Sequence, residues 1–326
     1  MDGAWTLLEP IPAAQTEALI IQAEIETPDS LPRDFAPDAA AARRIVAEAL
    51  RQGRAWLDPL EANRLLAAYD IPVAPVTLAE TAAEAAAAAR PILAEGGTVA
   101  VKILSPDIIH KSDIGGVKLD LTSEEAVRKA AADIFRRAER LKPGARVAGV
   151  TVQAMVRRPK ARELIAGLAD DPTFGPVVVF GRGGTAVEII DDTSMALPPL
   201  DLKLAEMLIA RTQVSRILKP YRDVPAADER AIRLVLVKLS QLAADVPEIR
   251  ELDINPFLAD EKGVVAVDAR VRVAAETAPQ RACGHSRFAV RPYPKEWERS
   301  FVLKSGRKVF ARPVRPARTR RCSASS

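Results

Sequence analysis

Residues 251–273 read ELDINPFLADEKGVVAVDARVRV, two apolar-rich runs separated by the polar turn DEKG. This pattern predicts a β-hairpin. Counting outward from the turn sets Asn255 opposite Asp268, with Cβ atoms ~4.5–5.5 Å apart, and puts Asp253 on the same face. An amide oxygen and carboxylates are ligands that suit Mg²⁺. The hairpin therefore predicts a magnesium site at Asn255, Asp268 and Asp253, with phosphate oxygens completing the shell.

The same register allows a second interpretation of the hairpin. It also sets Asp253 opposite Arg270 and Glu251 opposite Arg272, which describes a ladder of opposite charges on a sheet face. Each such pair stabilises a sheet by ~0.2–1 kcal/mol, and a ladder needs no ligand. The hairpin alone leaves the metal site and the charge ladder open.

Residues 99–104, VAVKIL, predict a buried strand that carries a single charge, Lys102. Burying an unpaired ammonium group is strongly unfavourable, so Lys102 either lies on an exposed face or is committed to an anionic partner. A phosphate group is one such partner. Lys102 is thus a candidate for binding a phosphate group, and the exposed face stays open as the alternative.

The loop after this strand, residues 105–116, reads SPDIIHKSDIGG. Its glycines, Gly115 and Gly116, can bring backbone N–H groups close to phosphate oxygens, as in anion-binding loops. His110 is a candidate phosphoryl acceptor because neutral imidazole is a good nucleophile near pH 7. The alternative is an ordinary exposed or structural histidine.

A second glycine-rich loop follows a predicted strand in residues 180–188, FGRGGTAVE. Such a loop is weak evidence for phosphate binding by itself. Glu188 interrupts an apolar run, so it is either a ligand for a bound molecule or a residue at a sheet edge.

Residues 153–156, QAMV, end a predicted strand and could offer backbone edges and an apolar wall to an adenine ring. The candidate residues are Gln153, Met155 and Val156, and the alternative is plain strand core. Glu163, at the start of the next predicted strand, joins the candidate nucleotide-binding residues.

The pattern of helices and strands predicts an α+β fold, with antiparallel hairpins and helices on the sheet faces. Capping residues mark where helices begin, because their side chains satisfy the free N–H groups of the first turn. We expect such caps at Asp58 with Glu61, at Thr81 with Glu84 and at Thr122 with Glu125.

Bulk properties narrow the class of protein. No apolar run reaches the ~20 residues that span a bilayer, and no leader pattern precedes the first helix. The cysteines, Cys283 and Cys322, lie near the end of the chain. We therefore expect a cytoplasmic protein without structural disulfides. The net charge of +4 comes from residues past Gln280, and a charge run outside a folded face disfavours nucleic-acid binding.

Three stretches together resemble the ATP-grasp domain of NDP-forming acyl-CoA synthetases, akin to the succinyl-CoA ligase β chain. They read VAVKILSPDIIHKSDIGGVKL, TVQAMVRRPKARELIAGLADDPTFGPVVVFGRGGTAVEI and ELDINPFLADEKGVVAVDARVRV. The resemblance covers roughly residues 56–273. It implies an ATP-grasp fold, in which two α+β subdomains clasp the nucleotide.

The resemblance implies a role for each matching position. Lys102 would contact ATP phosphates and assist their transfer. Gly115 and Gly116 would lie in the phosphate loop, and residues 153–156 would hold adenine. Asn255 and Asp268 would bind Mg²⁺, and His110 would relay phosphate. The implied reaction is acyl-CoA + ADP + phosphate ⇌ carboxylate + CoA + ATP, and CoA would be bound by a partner domain or subunit.

The resemblance also divides the chain. We expect a linker from a missing CoA-binding domain at residues 1–37 and the ATP-grasp domain at 38–275, with subdomains at about 56–150 and 151–275. Residues 276–326 resemble a basic linker toward a missing GNAT domain with a disordered tail, as in bacterial Pat-like lysine acetyltransferases. The alternative function is therefore a non-catalytic, nucleotide-binding regulatory module of such an acetyltransferase.

Overall fold

A computed structural model describes residues 35–108, 111, 113–184, 192–275, 299–302 and 308–311. Within this part of the chain, helices and antiparallel strands form two main sheets. The predicted α+β fold with antiparallel sheets flanked by helices is confirmed. No helix in the described ranges is both long and apolar enough to cross a membrane.

The small sheet has four strands in the order β1-β4-β2-β3, and all neighbours are antiparallel. The strands are β1 Val76–Ala79, β2 Val99–Leu104, β3 Val117–Leu121 and β4 Gly149–Ala154. One face packs against two helices, α3 Ala82–Ala94 and α4 Glu124–Leu141, through an apolar cluster that includes Val101 and Ile134.

The opposite face of the small sheet, which we call its inner face, carries the polar side chains. The β2–β4 register pairs Ala100 with Gln153 and Lys102 with Thr151. Since directly opposed residues share a face, these four side chains lie together. Ala100, Thr151 and Gln153 are all buried, so the inner face is covered.

The large sheet has the order β10-β8-β5-β6-β7, and β9 also pairs with β8. Its strands are β5 Arg162–Asp171, β6 Gly175–Arg182, β7 Thr193–Ala196, β8 Ile249–Asp260, β9 Gly263–Ala266 and β10 Ala269–Val273. Five helices contribute to its core, α1 Ala39–Arg51, α2 Pro59–Ala67, α5 Leu202–Ala210, α6 Ser215–Leu218 and α7 Glu229–Asp245. Phe180, Leu236 and Phe257 are among the fully buried side chains of this core.

The predicted cap of α2 is present in full. The Asp58 carboxylate accepts hydrogen bonds from the N–H groups of Leu60 and Glu61, both at 2.8 Å. The Glu61 carboxylate in turn accepts from the Asp58 N–H at 2.9 Å. The predicted cap of α3 forms as well, because the Thr81 hydroxyl accepts from the Glu84 N–H at 3.1 Å.

The predicted cap of α4 is wrong by one residue. Ser123, not Thr122, is the capping residue, and its hydroxyl accepts from the Ala126 N–H at 3.1 Å. Ser123 has the extended backbone that a cap requires, and an oxygen there reaches the N–H three residues on. Two adjacent hydroxyl residues made the pattern ambiguous by one position.

A third, two-stranded antiparallel sheet lies in the basic segment after residue 275. It consists of β11 Arg299–Val302 and β12 Lys308–Ala311. The predicted linkers at residues 1–37 and 276–326 otherwise lie almost wholly outside the described residues. Those domain boundaries therefore stay predictions.

Candidate nucleotide site between the two sheets

The hairpin has the predicted register. Ala259 pairs with Val264, and Asp253 pairs with Arg270. The Asn255 N–H donates to the Asp268 carbonyl oxygen at 3.1 Å, which places these two residues opposite each other.

The second arm of the hairpin is interrupted, which the sequence did not indicate. It is divided into β9 and β10, and the break falls at Val267 and Asp268. At this break the Val267 N–H donates to the Pro256 carbonyl oxygen at 3.1 Å. Asp268 thus lies at an interruption of regular pairing, with about a third of its side chain exposed.

Lys102 reaches this break from the other sheet. Its Nζ atom lies 3.8 Å from Oδ2 of Asp268, and only 17% of its side chain is exposed. Of the two alternatives for Lys102, the structure selects commitment to an anionic partner over a free exposed face. The partner is a carboxylate of the large sheet, so the two sheets meet at a pair of opposite charges.

Gln153 forms a second link between the sheets. Its side chain is buried, and its Nε2 atom donates to the Val267 carbonyl oxygen at 2.9 Å. The neighbouring Met155 N–H donates to the Thr98 carbonyl oxygen at 2.7 Å, as part of the small sheet. Val156 packs against the buried residues Leu258 and Val265. The side-chain amide of Gln153 is therefore occupied by the hairpin.

The phosphate-loop glycines differ from each other. Gly115 has φ +63, a left-handed conformation that favours glycine. The Gly116 N–H donates to the Lys111 carbonyl oxygen at 2.7 Å, so this N–H closes the loop on itself. A Cβ atom at Gly116 would lie 2.7 Å from Ile103 Cγ2 and 2.8 Å from the Lys111 carbonyl oxygen. Gly116 is thus required for close packing of the loop on β2.

Lys111 belongs to the same group of charges, although no sequence motif marks it as a site residue. Burial lowers the pKa of its ammonium group, as do Lys102 and Arg270, while Asp268 acts in the opposite direction. Lys111 lies in a loop and has no strand pattern to mark it. Its only signal was its position directly after His110.

Asp253 lies on β8, two residues before Asn255 and opposite Arg270. Burial raises its pKa to about 6, against the opposing charge of Arg270 and with smaller contributions from Glu251 and Asp268. The outer pair of the charge ladder also forms, with Nε of Arg272 3.2 Å from Oε2 of Glu251. The hairpin therefore combines an ion pair, Glu251–Arg272, with one less compensated carboxylate, Asp253, nearer the break.

Of the three remaining candidates, the structure describes only Glu163. Glu163, in β5, is exposed, and its carbonyl oxygen accepts from the Gly183 N–H at 2.8 Å. A Cβ atom at Gly184 would lie 2.8 Å from its carboxylate, so Glu163 adjoins the second glycine-rich loop. His110 and Glu188 lie outside the described residues, so their roles stay predictions.

The donor set at the break is small. Among the residues that the structure describes, no three His, Cys, Asp or Glu side chains are grouped so that they could hold a metal ion. The hairpin offers the Asn255 amide and the Asp268 carboxylate. This set fits a cation that takes its remaining oxygens from a ligand, and Lys102 and Lys111 add positive charge for an anionic ligand.

Comparisons with known proteins identify the family of the chain. Residues 48–273 match the ATP-grasp domain family. The β subunit of ADP-forming acetate–CoA ligase I from Pyrococcus furiosus is 39% identical over 232 residues, covering 71% of this chain and 97% of that subunit. ADP-forming acetate–CoA ligase I from Archaeoglobus fulgidus is 38% identical over 238 residues, 73% of this chain but 34% of that enzyme.

Solved structures give the same result. Dinucleotide-forming acetyl-coenzyme A synthetase 1 of Ca. Korarchaeum cryptofilum, in complex with coenzyme A, Ca-AMPCP and HgCl+, superposes with a TM-score of 0.67 at 38% identity. The match covers 72% of this chain and 100% of that one. PH1788 from Pyrococcus horikoshii also has a TM-score of 0.67, at 36% identity, and covers 73% of this chain and all of its own.

The predicted family and the predicted enzyme class are confirmed by these matches, and none of them favours the regulatory alternative. The chain spans nearly all of a separate β subunit but about a third of a single-chain enzyme. It belongs to the ATP-grasp domain family and is similar to the ATP-grasp part of ADP-forming acetate–CoA ligases.

Proposed function

We propose that this chain binds ATP or ADP with Mg²⁺ between its two sheets and works with a CoA-binding domain or subunit to interconvert acyl-CoA and carboxylate. The observation that carries the proposal is the meeting of Lys102 and Asp268. One sheet supplies a cation for phosphates, and the other supplies oxygens for a metal ion.

The break carries both lysines and oxygen ligands, so it suits a metal–nucleotide complex better than a free nucleotide or a free metal ion. Lys102 and Lys111 would contact phosphate oxygens, and Asn255 and Asp268 would hold Mg²⁺, with Asp253 supporting them. The metal ion, when bound, neutralises phosphate charge and orients the phosphates. Asp268 already faces a cation, because the Nζ atom of Lys102 lies 3.8 Å from its Oδ2 atom.

The transfer would use His110. An imidazole nitrogen would donate its lone pair to the γ-phosphorus of ATP while the bond to the bridging oxygen breaks and ADP leaves. The phosphoryl group would pass to a carboxylate, giving an acyl phosphate. The thiol of CoA, held by the partner, would then displace phosphate and form acyl-CoA.

Two further attributes remain predictions. We propose a cytoplasmic location, and a GNAT partner domain rests only on the resemblance of the basic segment. The regulatory alternative differs from the enzyme in one respect that can be measured, because it binds nucleotide without transferring phosphate.

The test mixes the chain with γ-labelled ATP, Mg²⁺ and the CoA-binding α subunit of a relative. We expect acid-labile label on histidine, and acyl-CoA formation when acetate and CoA are added. His110→Asn should lose both, while ADP binding by calorimetry stays unchanged. Nucleotide binding without label or acyl-CoA would contradict the enzyme and support the regulatory alternative. Absence of any Mg²⁺-dependent nucleotide binding would contradict both.

A further inference from the structure

We propose that Gln153 is a positioning residue for metal binding, which it serves by holding the β9–β10 break against the inner face of the small sheet. The inference rests on the proposed function and assigns Gln153 a task other than contact with the adenine ring. The residue would act through Val267 on its neighbour, Asp268.

The first observation is the contact itself. The side-chain amide of Gln153 is buried at 4% exposure, and it donates at 2.9 Å to a backbone carbonyl 114 residues away. An amide N–H that is buried in this way needs an acceptor, and a carbonyl oxygen at an interrupted strand needs a donor. Each group satisfies the other across the two sheets.

The second observation is where the contact falls. Val267 lies in the two-residue gap between β9 and β10, where the regular ladder gives way to single hydrogen bonds. The next residue, Asp268, carries the carboxylate that pairs with Lys102. Fixing the Val267 carbonyl therefore limits how far the Asp268 backbone can move from the small sheet.

The third observation is the position of Gln153 on its strand. Gln153 and Thr151 lie two residues apart on β4, on the inner face, and Thr151 is directly opposite Lys102. The strand that presents Gln153 to the hairpin is thus hydrogen-bonded to the strand that presents Lys102. The Gln153 amide therefore ties the carbonyl next to Asp268 to the strand that neighbours Lys102.

The experiment measures ADP binding by the full 326-residue chain at a series of Mg²⁺ concentrations and in EDTA. Gln153→Met keeps the length of the side chain but removes the donor. We expect it to raise the Mg²⁺ concentration for half-maximal binding by about three- to tenfold, the loss of one hydrogen bond. ADP affinity in EDTA should be unchanged, because Lys102 is not affected.

Gln153→Glu gives a second variant of the same length, in which a carboxylate meets the Val267 carbonyl. We expect a larger increase in the Mg²⁺ requirement, since two acceptors oppose each other. Thr151→Val is the matched control. Its buried hydroxyl donates at 3.3 Å to the Lys102 carbonyl oxygen, within the small sheet only. It should lower the melting temperature to a similar extent without changing the Mg²⁺ requirement.

The inference is overturned if the Gln153 variants bind with the wild-type Mg²⁺ requirement. It is also overturned if they weaken ADP binding equally with and without Mg²⁺, or if Thr151→Val gives the same increase, because either result indicates a packing role. Melting curves identify a variant that does not fold, and the other Gln153 variant then decides. Failure of the wild-type chain to bind ADP with Mg²⁺ would instead contradict the proposed function.

Discussion

The two sheets contribute opposite chemistry to the same place. The inner face of the small sheet presents one cation, Lys102, on a regular and largely buried strand. The large sheet presents its oxygens at an interruption, where β9 and β10 are separated by Val267 and Asp268. A regular strand fixes the direction of a single long side chain, whereas a break leaves room for groups that must surround a ligand.

The two sheets also differ in how much of their contribution can be predicted from nearby residues in the sequence. Asn255 and Asp268 are brought together by one short turn, so their pairing follows from counting residues. Lys102 meets Asp268 only because two sheets pack together. If each sheet has a separate task, substitutions on the small sheet should change nucleotide affinity and substitutions on the large sheet should change the Mg²⁺ requirement.

The largest effect is expected for Lys102→Met. Loss of a charged phosphate contact should weaken ADP binding by about 1.5–3 kcal/mol, or roughly ten- to hundredfold. The Mg²⁺ requirement should not rise, because Asp268 loses a competing cation. Titration calorimetry at several Mg²⁺ concentrations measures both quantities.

Lys118→Met is the matched control for this prediction. Lys118 lies on the neighbouring strand and pairs with Asp133 of α4, with Nζ 3.3 Å from Oδ2. Its replacement should leave ADP binding unchanged. Equal losses for both lysines would indicate that only the net charge of the small sheet matters, and the division of tasks between the sheets would then be wrong.

Much of the fold could be predicted because its signals are local. The cap at Asp58, the strand of Lys102 and the hairpin register all follow from residues a few positions apart. The remainder depended on contacts between distant segments. No local pattern indicates that Gln153 donates to Val267, or that Lys111 lies among the charges of Asp268. The break at Val267 was also missed, because VVAVDARV has an unbroken strand pattern.

The next largest effect is expected for Asp268→Asn. The loss of a carboxylate ligand should raise the Mg²⁺ requirement for ADP binding by about tenfold or more. ADP binding in EDTA should become tighter, since Lys102 is no longer paired with a carboxylate. Glu206→Gln, an exposed carboxylate of α5 that pairs with Arg233, should change neither quantity. An unchanged Mg²⁺ requirement in Asp268→Asn would show that the hairpin does not bind the metal ion.

The next prediction concerns stability and its dependence on pH rather than ligand binding. Because the pKa of Asp253 is raised to about 6 in the folded chain, the folded state binds a proton more tightly than the unfolded state. Stability from this group is therefore full below pH 4 and is lost as pH rises toward 6. Asp253→Asn should remove that loss and gain up to about 3 kcal/mol relative to wild type between pH 4 and 7.

Urea unfolding at pH 4, 5, 6 and 7 without metal measures this difference. The charges that face Asp253 are Arg270, Glu251 and Asp268, and all are present in both proteins. A wild-type advantage at pH 7 would mean that Arg270 compensates the carboxylate fully, as in a simple charge ladder. The hairpin would then resemble an ordinary exposed sheet face, and the contrast between the two sheets would be weaker.

The smallest effect is expected at the outer end of the hairpin. A double-mutant cycle with Glu251→Gln and Arg272→Met should give a coupling energy of about 0.2–1 kcal/mol, as for other cross-strand ion pairs. Neither change should alter ADP binding or its Mg²⁺ requirement, because the pair lies beyond Asp253 and away from the break. If Glu251→Gln raised the Mg²⁺ requirement, metal binding would depend on the charge of the whole strand. It would then not be specific to the residues at the interruption near Asp268.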